Sequence, residues 1–292
     1  MDGGSLDRVL WGGSDLTTVS TSWMQRIHIL IDVVDGLAYL HLMHKSVHRD
    51  LKSPNILLEW ITLNDDAARS DRTVTHRAKI ADFGLSKIFL KGKKRISTTK
   101  ETKKSSKSAI IAANWKGLKQ KGFVGTPRWM APEMMKSEVK IGPSADIYSF
   151  GVIMWEVWTR RKPWREFSDK QDIFKAVRDE KRTLPVLQKT EDEEAVPIGY
   201  VDLLKRCCEY KANRRPLIDV VHGDLQNLLE KAAEIDRDVQ MTMMDSPGQG
   251  DDDGNAAQIE MGHMMNVKTM LESKSFEHVD DDGAFDRRTL GL

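Results

Sequence analysis

The run SVHRDLKSPN, residues 46–55, crowds one acid, two long cationic side chains and a carboxamide into a few positions. Asp50 can take a proton, Asn55 offers a carbonyl oxygen, and Arg49 and Lys52 can face an anion. A second carboxylate follows in Asp82-Phe83-Gly84, and another in Ala131-Pro132-Glu133. Carboxylates and carbonyls are the donors that a small hard cation such as Mg²⁺ prefers, so proton transfer and hard-cation binding are the chemistry on offer. Five specified residues, His48, Arg49, Asp50, Leu51 and Asn55, at roughly one in twenty each, would coincide about once in three million windows, which marks the set as a unit.

In order and spacing these motifs resemble those of protein kinases, from the first residue to about residue 235. The resemblance implies transfer of the ATP γ-phosphate, with Mg²⁺ neutralising the phosphates and a protein hydroxyl as acceptor. By that resemblance Asp50 accepts the hydroxyl proton, Asn55 and Asp82 ligate Mg²⁺, and Lys52 touches the transferring phosphate. Leu57 is implied as the floor under the adenine ring and equally as a core leucine. Phe83 and Gly84 complete the second motif. Thr126, in the stretch GTPRWM, is implied to bond Asp50 and Lys52, as in serine/threonine kinases. Glu133 is implied to pair with Arg215 of NRRP, and Asp146 to hold the backbone of the catalytic loop. Arg49 is implied to receive a phosphate on the activation segment, which makes an upstream kinase a partner. The acceptors on offer are Ser97, Thr98, Thr99, Thr102, Ser105, Ser106 and Ser108, unranked. HRDLKSPN, SPNILL, GTPRWMAPE and SADIYSFGVIMWE together are most similar to the tyrosine-kinase-like group, its mixed-lineage and Raf-like branch. Dual specificity stays open.

The elements that must position these residues are legible in outline. From Trp23 to Leu42 the apolar residues Ile27, Leu30, Ile31, Val34, Leu37, Ala38 and Leu40 recur at helical spacing, with Thr21 or Ser22 as cap. Ile56 to Leu58 and Ala78 to Ala81 read as short buried strands, the second leading into Asp82. Asp146 to Trp158 is apolar on nearly every side, which marks a central helix buried all round. Further helices are expected at about Lys170 to Glu180, Pro197 to Glu209 and Pro216 to Ile235, with no internal repeat. The expected fold is mostly α within an α+β family fold: a kinase-like C-terminal, large lobe with short strands around the catalytic loop.

Composition bounds the rest. The chain has 292 residues and 40% hydrophobic content, enough for a sizeable core, and 45 Lys+Arg against 44 Asp+Glu. That balance offers no general handle for nucleic acid or anionic membrane. The only cysteines, Cys207 and Cys208, are adjacent and suit a reducing, intracellular setting. The start lacks a basic and apolar leader, and the apolar runs are broken by Asp32, Asp35 and Glu156, so neither export nor a membrane span is expected. A cytoplasmic protein is the expectation. Residues 62–77 read as a surface insertion. Residues 91–121, with eleven Lys or Arg and one acid, read as a mobile basic insertion. Nuclear entry or nucleic-acid binding is a further reading of that loop, but Trp115 alone makes no base-stacking platform, and nucleic acid is not an expected partner. Residues 236–292, with thirteen acids against five Lys or Arg, read as a disordered acidic tail after a 1–235 lobe.

The Gly-rich loop, the strand lysine and the helix glutamate of a kinase small lobe are not found, and Gly3-Gly4-Ser5-Leu6 is similar to the segment after the hinge. The expectation is a large lobe alone. Its function is expected to be that of a serine/threonine protein kinase in signal transduction, inactive if truncated, with a pseudokinase-like scaffold or binding module as the alternative.

Overall fold

The computed structural model describes residues 3–11, 22–62, 74–88, 118–186 and 196–244. A short helix α1, Leu6–Trp11, is followed by α2, Trp23–Ala38. Ser22 caps α2 by accepting from the Gln25 amide at 3.3 Å. The helix buries Ile27, Leu30, Val33, Val34 and Leu37 completely, then widens into a π-turn over Tyr39–Met43.

Strand β1, Ser46–Val47, leads into the segment 48–55, and β2, Ile56–Thr62, leaves it. β2 pairs antiparallel with β3, Val74–Ile80, in the register Ile56↔Ile80, Leu57↔Lys79, Leu58↔Ala78. Both strands run further than the apolar residues alone suggest, so the segment between them is 63–73, outside the described residues. β1 pairs with β4, Lys87–Ile88, and β5, Leu118–Lys121, pairs with β6, Glu138–Ile141. The end of the basic stretch is therefore a strand, with Gln120 buried in it. The candidate phosphoacceptors from Ser97 to Ser108, and Trp115, lie outside the described residues.

Helix α3, Pro143–Thr159, starts on a proline whose fixed φ suits the first turn, and every residue from Ala145 to Thr159 is buried. α4, Lys170–Phe174, continues as a π-turn over Lys175–Asp179, and α5, Tyr200–Cys207, packs on α3. Gly151 permits that approach: a Cβ there would lie 2.6 Å from Cys208 Sγ and 2.9 Å from Cys207 Cβ. Both cysteines are free, and burial pushes the Cys208 thiol up to about 12, which keeps it protonated.

The last helix, α6, runs Ile218–Met244 and so continues helical backbone into what the sequence reads as tail. Met1–Glu234 forms one compact unit; beyond Ile235 only the remainder of α6 is described. Among the described residues no helix is long and apolar enough to cross a membrane.

Candidate active site

The β2–β3 hairpin brings two distant motifs together. Asn55 precedes β2 and Asp82 follows β3, and the Ala81 amide donates to the Asn55 carbonyl at 2.8 Å. His48 adds a second tie, its Nε2 donating to the Ala81 carbonyl at 3.1 Å and its Nδ1 accepting from the Asp50 amide at 3.4 Å.

Asp50 sits at the centre, 8% exposed, with both carboxylate oxygens engaged. Oδ1 accepts from the Thr126 amide and hydroxyl, each at 2.7 Å, and Oδ2 accepts from Lys52 Nζ at 2.7 Å. Lys52 also donates to Thr126 Oγ1 at 2.8 Å, so the three side chains close a ring. Gly125 makes this possible: its φ is +110°, and a Cβ there would stand 2.6 Å from the Arg49 carbonyl. No L-residue with a side chain fits both conditions.

The loop is held from below by α3. Asp146, 1% exposed, accepts from the His48 amide at 2.8 Å, the Arg49 amide at 2.9 Å and His41 Nε2 at 2.8 Å. Arg49 has φ 69°, a left-handed conformation that costs about 1 kcal/mol or more, and the bond to Asp146 keeps it there. Its guanidinium donates to the Leu85 carbonyl at 2.6 Å and to Gln120 Oε1 at 3.1 Å, both neutral acceptors. Burial pushes the Arg49 pKa down from its ordinary value, with Asp146 opposing.

Asn55 donates through Nδ2 to the Asp50 carbonyl at 3.0 Å, which leaves its Oδ1 for a cation. Asp82 is exposed, with φ 58°, and its Oδ1 accepts only a long bond from the Gly84 amide at 3.3 Å. Two oxygen donors and open solvent suit Mg²⁺, which keeps waters and phosphate oxygens in its shell and does not require a protein cage. Among the described residues, no cluster of three His, Cys, Asp or Glu could hold a metal. Leu57 is half-buried and lies between Lys79 on β3 and a bridge to Ser5 on the other edge. Phe83 is 52% exposed and meets His48 edge-on at 5.3 Å between ring centroids. Beside it lies a largely apolar groove of about 510 Å³, lined by Tyr39, Leu40, Ile80, Phe83 and Ile88 among others.

Glu133 and Arg215 lie away from the ring. Arg215 donates to both Glu133 oxygens, at 2.7 and 2.8 Å, and to the carbonyls of Glu209, Ser144 and Tyr210. All three of its nitrogens are thus satisfied, and the pair fastens the Glu133 turn to the residues ahead of α6.

Sequence reasoning gave no role to Glu156, which it met only as an interruption of an apolar run. It is 0% exposed on α3 and accepts from Ser53 Oγ at 2.7 Å, Trp129 Nε1 at 2.7 Å and Trp11 Nε1 at 3.3 Å. Burial pushes its carboxyl up to about 8, against the lowering effect of those three donors. Ser53 is the one partner able to accept as well as donate. An acid inside a helix buried all round was the available signal, since such a group must find donors on other elements. His41 and Gln120 were also missed, and nothing in the local pattern distinguishes them.

A family model described as Protein kinase domain matches residues 1–224. Mitogen-activated protein kinase kinase kinase 12 of Rattus norvegicus is 32% identical over 214 residues, covering 73% of this chain and 18% of that protein. Mitogen-activated protein kinase kinase kinase 13 of Homo sapiens is 32% identical over 217 residues, with 73% and 17% covered. Cyclic GMP-binding protein C of Dictyostelium discoideum is 30% identical over 221 residues, with 75% and 7% covered. The chain thus spans less than a fifth of the length of these curated relatives.

Proposed function

The chain belongs to the protein kinase family, and on that premise we propose that it acts as a serine/threonine protein kinase of the mixed-lineage type, using ATP and Mg²⁺. The closed ring of Asp50, Lys52 and Thr126 carries the reading. Asp50 receives the proton of an incoming Ser or Thr hydroxyl, and Lys52, 2.7 Å away, offsets charge on the phosphoryl group. Asn55 and Asp82 hold the cation, which neutralises the phosphate oxygens when bound, and Leu57 supports the adenine. Thr126 ties the segment that receives the substrate to the base that serves it. Arg49 exchanges its neutral acceptors, Gln120 and Leu85, for a phosphate placed by an upstream kinase on the 91–121 segment. The setting of this signalling role is cytoplasmic.

Residues 1–235 correspond, in this reading, to the large lobe. The exposure of Phe83, Tyr39 and Ile88 beside an apolar groove supports it, since a face of that kind is a covered one in a complete kinase. The same observation favours a second reading, a binding module that holds a partner and transfers nothing.

The test is phosphorylation of a generic Ser/Thr protein substrate from labelled ATP by the full chain, with Asp50→Asn as control and phosphoamino-acid analysis of the product. Asp50-dependent label on Ser or Thr supports the kinase reading. Label on Tyr, or none from the unaltered chain, refutes it for this chain and shifts the weight to the module.

A further inference from the structure

Strands β5 and β6 form a two-stranded ribbon whose faces differ in kind. In its antiparallel register Leu118 stands opposite Ile141 and Gln120 opposite Val139, while Lys119 stands opposite Lys140 and Lys121 opposite Glu138. Residues directly opposite share a face. One face is therefore wholly or partly buried, and the other carries three lysines and one acid, all exposed. Among the described residues no carboxylate lies within ion-pair distance of Lys119, Lys121 or Lys140, Glu138 included. Lys119 and Lys140 work against the ribbon, since like charges directly opposite repel and nothing in the described fold relieves them. The buried face holds the ribbon in place regardless. Ile141 is 0% exposed, and Gln120 accepts from Arg49 Nη1 at 3.1 Å, which fixes the lysine face beside the loop that carries Asp50. The Gly122 amide extends the ladder toward Thr126 by donating to the Ser137 carbonyl at 2.9 Å.

We propose that the exposed face of this ribbon docks an acidic segment of the protein substrate, with Lys119, Lys121 and Lys140 facing its Asp or Glu side chains. That the ligand is a substrate rests on the kinase reading; the attraction for an acidic segment rests on the ribbon alone. Lys121 lies five residues before Thr126, whose amide is 2.7 Å from Asp50 Oδ1. Five residues span at most about 18 Å, which an extended peptide also covers in about five residues. A peptide whose hydroxyl sits at Asp50 therefore reaches the lysines with acids roughly five to eight positions away. A carboxylate placed between Lys119 and Lys140 removes their repulsion, so binding relieves the one unfavourable pairing in the ladder. The face carries no aromatic or guanidinium group to stack on a base, which favours carboxylates over a nucleic acid.

The test is fluorescence anisotropy of a labelled peptide on the full chain without ATP. The peptide carries one Ser with Asp over about eight positions on either side, and its match carries Asn in their place. The Asp peptide is expected to bind about tenfold more tightly at about 0.05 M salt, with the gap closing at about 0.5 M. Lys119→Gln, Lys121→Gln and Lys140→Gln together should shrink the gap at least about fivefold, with the melting temperature unchanged or raised. Lys170→Gln, Lys205→Gln and Lys211→Gln together, exposed lysines on other elements, should leave the gap within about twofold. The proposal is overturned if the ribbon variant binds as the parent does, or if both triple variants weaken binding alike, as net charge acting from anywhere would do. A melting temperature lowered by more than about 2 °C in the ribbon variant also overturns it, because the lysines would then serve the ribbon itself. So does a single-stranded oligonucleotide of equal charge that outcompetes the Asp peptide at the same lysines. With labelled ATP, the Asp-over-Asn ratio of kcat/KM should fall in the ribbon variant. Transfer without any Asp preference overturns the docking site and keeps the kinase reading; lysine-dependent binding without transfer to any peptide refutes the kinase reading and keeps the ribbon as an acidic-peptide site.

Discussion

Replacing Asp146 by alanine removes the one acceptor shared by three buried donors. His48 N, Arg49 N and His41 Nε2 all end on this carboxylate, at 2.8, 2.9 and 2.8 Å. His48 is 0% exposed and His41 1%, so water does not replace the lost bonds. A buried donor left without a partner costs about 1–3 kcal/mol, and the Arg49 backbone is released from a conformation it holds only under constraint. We expect Asp146→Ala to cost at least about 4 kcal/mol, which for a domain of this size lowers the melting temperature by roughly 8 °C or more. Asp146→Asn keeps an oxygen where Oδ2 serves His41 and His48, but turns an NH₂ toward the Arg49 amide. It should cost about half as much. Urea unfolding followed by fluorescence of the eight tryptophans measures both. The reasoning fails if alanine costs under about 1 kcal/mol, or if asparagine is no milder than alanine.

Two further predictions follow from positions around the site. Gly125→Ala puts a side chain at φ +110° and within 2.6 Å of the Arg49 carbonyl, so we expect a loss of at least about 2 kcal/mol and weaker protection of the Thr126 amide. A variant melting within about 2 °C of the parent would contradict this. The Glu156 carboxyl, at about 8 in the folded chain against 4.5 ordinarily, keeps a proton that the unfolded chain releases. Its stabilising contribution is therefore complete below pH 4.5 and lost as pH rises to about 8, at up to about 1.4 kcal/mol per pH unit. Glu156→Gln cannot titrate, so its unfolding free energy relative to the parent should improve by several-fold RT between pH 5 and 8; a difference that stays flat across that range rules the linkage out.

The loop at the heart of the site was legible because its residues are specified by chemistry and lie close together in the chain. His48 through Asn55 is one short loop, and the apolar periodicity before it marks α2, with the structure choosing Ser22 over Thr21 as its cap. α3 was legible for the opposite reason, its apolar residues covering every side. The strand ends were not: β2 and β3 lengthen each other by pairing to Thr62↔Val74, which no local pattern records. The same holds for β5, where basic residues that read as loop become a strand once β6 pairs with them.

The sequence by itself determined the motifs that carry the family resemblance and the central helix, since these depend on residue type and short-range spacing, while Thr126 entered the ring from 74 and 76 residues away only through that resemblance. Tertiary structure alone decided who satisfies the buried polar groups that no motif covers. Glu156 draws its donors from 145, 103 and 27 residues away. Burial makes an unpaired polar group costly, but the packing of distant elements chooses the partner. Gly125 shows the same division: its type is in the sequence, while the need for it arises only where the Arg49 carbonyl comes within reach.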